Sequence, residues 1–254
     1  MRRPAVPTLL IAAIAVVGIS AGPVAATAAD DQAAADAAMA AFSERMVAAG
    51  GVSDGPTDMS IDDEAETDPD DPFTGCFGDI AGLEARGRLA GETARAFSDD
   101  FSFPGEGAPA ATDPLSMTIA SDDTIMGAVI TVDDDSAGVI DEVVRAFGSE
   151  EAAMCLEGLF NEMAAGAVSD ASSPGEAGFT VDVAAEADLG IGDASASLQL
   201  ALASDIGGTT TASNVAVYLA RADRSLIVLT ITTDADPTVD IDGPGELAAI
   251  VDSL

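Results

Sequence analysis

The chain has no histidine, no lysine and no tryptophan, with one tyrosine and two cysteines in 254 residues. Each absence removes chemistry. Without histidine there is no Ser-His-Asp or Cys-His nucleophile system and no imidazole-ligated metal. Without lysine there is no Schiff base, no P-loop lysine and no kinase strand lysine. Positive charge is scarce too: 9 arginines stand against 45 acids, a formal net charge of -36. Binding to nucleic acid depends on basic side chains that neutralise phosphates, so the charge balance argues against it. Aromatics are 4% of the chain. A core must therefore come from Val, Ile, Leu and Met, with Phe used sparingly.

What the chain has in quantity is alanine and acid. Alanine supplies 52 residues and inflates the hydrophobic fraction of 48%. Ala richness without Lys is what coding bias in a GC-rich genome produces. An acidic, Lys-free surface is also what high external salt selects, because self-repulsion is screened there. Both readings concern habitat and solubility rather than a site.

The N-terminus carries a targeting pattern. Arg2 and Arg3 form a positive n-region, Leu9 to Ile19 an apolar h-region, and Gly22-Pro23 a break. Ala26-Thr27-Ala28 then places small residues where a signal peptidase reads. The pattern predicts a secretory signal peptide over residues 1-28, with an apolar run too short to span a membrane comfortably. No Cys follows the h-region to take a lipid. The expected location is secreted, extracellular or in the cell envelope, with no membrane span in the mature protein.

Residues 29-51 have high helix propensity, and Met39, Phe42, Met46 and Val47 form a narrow apolar stripe. Residues 52-72 follow. Positions 54 to 71 hold nine acids and no base, too little apolar surface to offset ordering entropy, so this stretch reads as an acidic disordered linker. The packed domain is expected over 73-254. Residues 92 to 103 suggest an edge strand. Leu115, Met117 and Ile119 alternate with polar or small residues, and Ile125 to Val132 reads as a more buried strand. Val139, Ile140, Val143, Val144 and Phe147 fall on one helical face, with Asp134, Asp135 and Ser136 ahead of them as cap residues. A second helix runs from Glu150 to about Ala165, with Cys155, Leu156, Leu159, Phe160 and Met163 as its apolar face. Strands are then read around Phe179 to Val183, Leu198 to Leu202, Val215 to Ala220 and Leu226 to Thr232, before a terminal helix from Glu246 to Ser253. This order implies an α+β fold: an antiparallel sheet with helices packed on it.

Two cysteines in an exported chain read first as one disulfide, Cys76 with Cys155. A redox-active pair and two separate buried thiols are the alternatives, the former weakened by the absence of CxxC. Carboxylate pairs at Asp99-Asp100, Asp122-Asp123 and Asp133 to Asp135 sit at expected turns, where Asp bonds its own backbone. Asp234, Asp236, Asp240 and Asp242-Gly243 look like part of an EF-hand, but Thr238 stands at the first ligand position and Ala249 at the twelfth. No metal site and no cofactor is expected. Arg86, Arg88, Arg95, Arg221 and Arg224 are the candidate anion contacts, with local ion pairing as the ordinary reading.

Three stretches together carry a resemblance. They are the strand, Asp/Ser-rich turn and helix that lead to Ala-Met-Cys155-Leu-Glu-Gly-Leu-Phe, then Gly192-Asp193 before an alternating strand, and the hairpin from Val215 through Arg224 to Leu229. This arrangement resembles the actinobacterial exported sensor-like domains, found as secreted proteins, as lipoproteins and as extracellular sensor domains of membrane Ser/Thr kinases. The resemblance covers roughly residues 73-254. It implies an α/β sandwich with a curved antiparallel sheet, a disulfide, and a binding or sensing role without known catalysis. The expected function is a secreted non-enzymatic ligand-binding or interaction domain, its ligand in a groove between sheet and helices. The partner would be a small molecule or cell-envelope component. A carboxylate-based secreted hydrolase and an acidic calcium-responsive surface protein are the alternatives.

Overall fold

The structure, a computed structural model, describes residues 29-53, 74-77, 92-103, 123-170, 177-206, 209-234 and 240-254. The signal segment, most of the acidic stretch, the strand read at 115 to 120, and Arg86 and Arg88 lie outside the described residues. Helices are α1 (Ala29–Ala48), α2 (Ala137–Phe147), α3 (Glu150–Asp170) and α4 (Gly243–Val251). Strands are β1 (Val52–Ser53), β2 (Glu92–Phe97), β3 (Phe101–Phe103), β4 (Asp123–Val132), β5 (Ala177–Ala187), β6 (Ala194–Ile206), β7 (Thr209–Ala222) and β8 (Ser225–Asp234).

The eight strands form one antiparallel sheet in the order β1-β3-β4-β8-β7-β6-β5, with β2 also on β4. The fold is α+β, as the alternation implies. The expected edge strand over 92 to 103 is two strands on the same side of β4, kinked at residues 98-100. Ser98 holds the kink: its backbone N–H donates to the Gly127 carbonyl at 2.8 Å, and its hydroxyl accepts from the Gly127 N–H at 2.7 Å.

Period-two alternation divides the sheet into two apolar faces. On one, α2 and α3 cover Leu198, Leu200, Val217, Leu219 and Val228. Ile140, Val143, Val144, Phe147, Leu156 and Phe160 supply the helical side, while Cys155 is exposed rather than part of the apolar face. On the other, α1 and α4 cover Ile125, Val129, Tyr218, Ala220, Ile227 and Leu229.

The helix over 29-48 thus lies against the same sheet as residues 92-254. Its inward face is Ala35, Ala38, Met39, Phe42 and Met46, a stripe at helical spacing in which small alanines allow close approach. Val47, read as part of the stripe, is 59% exposed. Val52 and Ser53 are not linker: they pair with Ser102 and Phe101. Asp31 reaches Arg224 at 2.8 Å and Arg45 reaches Glu246 at 2.9 Å, tying both ends of α1 to distant parts of the chain.

Helix side chains also occupy both flanks of the sheet. On β2, the Gln32 carboxamide donates to the Arg95 carbonyl at 2.8 Å and accepts from the Arg95 N–H at 3.3 Å. On β5, the Asn161 carboxamide donates to the Val181 carbonyl and accepts from the Val181 N–H, both at 3.1 Å. One side-chain amide presents the donor and acceptor that a neighbouring strand would present. An open strand edge is a template for another chain, and these two clamps block it at Arg95 and Val181.

Candidate functional site

Cys76 and Cys155 form a disulfide across 79 residues, with Cα atoms 5.2 Å apart. It joins the short 3-10 turn Thr74–Phe77 to α3. Phe77 stacks on Phe147 of α2 with ring centroids 6.0 Å apart, so the turn is held by packing as well as by sulfur.

The three described candidate arginines already hold carboxylates of this chain. Arg95 pairs with Glu92 and lies over the Phe97 ring. Arg221 lies 2.6 Å from Asp141 and 3.6 Å from Asp193. Arg224 contacts Asp31 and Asp134 and donates to the Val132 carbonyl at 3.2 Å. The structure does not bring Arg95 together with Arg221 and Arg224 as one cluster: Arg95 lies on β2, the other two at the β7–β8 turn.

Gly192-Asp193 has a structural reason. Gly192 has φ +63, and a Cβ there would fall 2.2 Å from the Arg221 carbonyl oxygen. Asp193 then donates its N–H to that carbonyl at 2.8 Å and accepts from the Asp223 N–H, also at 2.8 Å. The turn after β5 is thereby fastened to the β7–β8 hairpin.

The acids divide by environment. Asp133 makes the turn into α2: its carboxylate accepts from the Ser136 N–H at 2.9 Å. Asp123 is 1% exposed and accepts from the Asp234 N–H at 3.1 Å. Asp242 caps α4, accepting from the Gly245 N–H at 3.0 Å, with Pro244 in the first turn where its missing N–H costs nothing. The terminal helix consequently starts at Gly243, three residues before the expected Glu246. Among the described residues, no group of three or more Cys, Asp or Glu is placed to hold a metal ion.

One polar constellation remains. On the α1/α4 face, Glu186 of β5 lies opposite Ser197 of β6, which lies opposite Tyr218 of β7. Opposed residues on one face have Cβ atoms about 4.5–5.5 Å apart, so the three form a continuous cross-strand row. Beyond Tyr218 the sheet is covered by α4, but Thr180, Asp182, Ala184, Glu186, Gln199 and Ala201 on the outer strands are exposed. The row therefore runs from solvent into the core. Ser197 is 1% exposed, and its Oγ has no hydrogen-bond partner. Such an unmet buried hydroxyl costs about 1–3 kcal/mol. Tyr218 is 9% exposed, and α4 begins directly on its ring: a Cβ on Gly243 would lie 2.4 Å from Cε2.

Burial, then the charges of Asp242 and Glu186, push the Tyr218 phenol above its usual value of about 10. The folded chain therefore keeps a proton that the unfolded chain releases first. The resulting stability is fully present below about pH 10 and is lost as pH rises through the folded-state value. Tyr218 is the chain's one tyrosine and there is no tryptophan, so phenolate absorbance reads this position alone. Titration of the folded chain should give a midpoint above that of the urea-denatured chain. A folded midpoint at or below the denatured one would contradict the assigned environment.

Sequence reasoning missed this row. Its one available signal was the phase of the strands, since Tyr218, Ser197 and Glu186 all fall on the polar phase of apolar-alternating segments. Fold and row together define an α+β fold in which described residues of the outer strands, Glu186 among them, are exposed beside the entry to a helix. No family model, curated protein or solved structure matches the chain. Among the described residues, no helix is long and apolar enough to cross a membrane.

Proposed function

We propose that this chain is a secreted, non-enzymatic ligand-binding domain of the sensor-like type, working in the cell envelope or outside it. The observation that carries the reading is the buried, unpartnered Ser197 hydroxyl in a row that opens to solvent at Glu186. Thr230 Oγ1 is also buried without a partner, but on the opposite face of the sheet, opposite Val217. Ser197 differs in lying in a row that reaches solvent, and a buried polar group left unmet beside solvent is the kind of group a ligand satisfies. The signal-like N-terminus and the disulfide support an exported setting. The absence of His and Lys supports binding over catalysis.

The test is a compound screen on the oxidised chain, read in parallel by melting temperature and by Tyr218 emission. Saturable shifts without any product formed are the expected result. Hydrolysis of a glycoside or ester that persists through purification and vanishes with a single carboxylate substitution would replace this reading with the hydrolase.

A further inference from the structure

We propose that the row Glu186, Ser197 and Tyr218, bounded by the Asp242-Gly243 entry to α4, binds an organic cation: an ammonium or guanidinium group on an apolar stem. This deepens the binding reading above and rests on it. Three features set the charge and shape of the ligand. Glu186 and Asp242 are both close enough to act electrostatically on the Tyr218 phenol, so the row is framed by negative charge at either end. Leu189, Ile191 and Ile241 pack around the same core face, giving apolar surface for a stem. Ser197 offers an oxygen with no other partner, and Tyr218, whose ring is covered by Gly243, lies directly opposite it and reports on the row.

Other ligand classes fit less well. A helix N-terminus commonly takes an anion, but that of α4 is already occupied by the Asp242 carboxylate. Among the described residues, the arginine ion pairs are with Asp31, Glu92, Asp134, Asp141, Asp193, Asp223 and Glu246, not with Glu186 or Asp242. A calcium ion takes 6–8 oxygens; the two carboxylates and two hydroxyls of this row reach six only if every oxygen ligates, and Asp242 Oδ1 already accepts from the Gly245 N–H. An organic cation needs fewer charge-assisted hydrogen bonds and gains from the apolar wall. The net charge of -36 raises the local concentration of any cation and makes ionic strength the first control.

The lone tyrosine makes the experiment direct. The oxidised chain is titrated with n-butylammonium chloride and, separately, n-butylguanidinium chloride, each against sodium chloride of equal ionic strength. Tyr218 emission should change saturably with the organic cations and not with sodium. Glu186 is exposed, so Glu186→Gln should fold normally and weaken binding about 5-fold or more, the loss of one charge-assisted contact. Ser197→Ala separates a binding role from a structural one. It removes an unmet buried hydroxyl, so the ligand-free chain should melt at the same temperature or higher, while affinity for butylammonium drops about 5-fold.

An emission change that follows ionic strength alone, or a Ser197→Ala chain that binds butylammonium as tightly as the parent, overturns the proposal. Saturation by calcium chloride in place of the organic cations overturns it as well. If neutral or anionic compounds shift the melting temperature saturably while both cations leave Tyr218 unmoved, the cation assignment fails alone and the binding domain stands. If no compound class gives a saturable shift, both fail.

Discussion

Phe42→Ala should destabilise the folded chain by about 3–5 kcal/mol, the usual range for removing a fully buried Phe ring. Phe42 is 0% exposed and sits where α1 meets the sheet. Its ring lies 3.2 Å from where a Cβ on Gly127 would be, so it packs onto backbone that only glycine leaves bare. It meets Phe101 edge-on with centroids 6.3 Å apart, and Arg45 sits 5.9 Å from its centroid. Truncation opens a cavity between three elements at once. Urea unfolding checks this, with Val47→Ala as control. Val47 is 59% exposed on the same helix and should cost no more than about 0.5 kcal/mol. If both variants unfold at the parent midpoint, α1 is not part of the cooperative unit.

Loss of the Cys76–Cys155 bond should have an effect of similar size. A crosslink spanning 79 residues removes denatured-state entropy worth about 4 kcal/mol. For a chain of this length, that corresponds to roughly 10 °C in melting temperature. The bond fastens the Thr74–Phe77 turn to α3. That helix is otherwise held by Ala152, Ala153, Leu156 and Phe160, and by Asn161 on β5. Cys155 is exposed, so reductant can reach the bond without prior unfolding. Unfolding of the chain with and without dithiothreitol, beside a Cys76→Ala/Cys155→Ala variant, measures the effect. The reduced chain and the variant should share one lowered midpoint, and an unchanged midpoint in both would refute a stabilising role. Mass spectrometry of the untreated protein should find neither thiol open to alkylation.

These two sites differ in how legible they are in the sequence. The disulfide follows from counting: two cysteines, an export pattern and no CxxC. So do the strands in which Leu198, Leu200 and Leu202, or Val215, Val217 and Leu219, alternate, and the α2 face through Ile140, Val143, Val144 and Phe147, because one buried face imposes a period. The docking of α1 is harder to see. Part of its inward face is Ala35 and Ala38, and in a chain with 52 alanines a buried alanine looks like any other. The acidic stretch that follows separates the helix in sequence from strands it meets in space. Periodicity also does not fix strand order: β4 pairs with β8, about a hundred residues later, a choice made by packing rather than by local pattern. The Tyr218 row was hidden for the same reason, since its three members come from three strands. Gln32 and Asn161 carry no periodic signal, and their strand partners lie 63 and 20 residues away.

Those two carboxamides bear on behaviour in acid. A chain with 45 acids against 9 bases is kept apart from its copies by mutual repulsion near neutral pH, and that repulsion fades as the carboxylates take up protons. Molecules then approach closely, and an open strand edge becomes dangerous. Gln32 and Asn161 do not titrate. The bonds that shield Arg95 and Val181 have the same donors and acceptors at pH 4 as at pH 7. At Arg95 and Val181 the sheet margins are thus protected by neutral groups, while at Val183, whose N–H donates to the Glu157 carboxylate at 3.5 Å, the protecting group is titratable. The chain's other defence against self-association is charge, so at Arg95 and Val181 the two defences do not fail together.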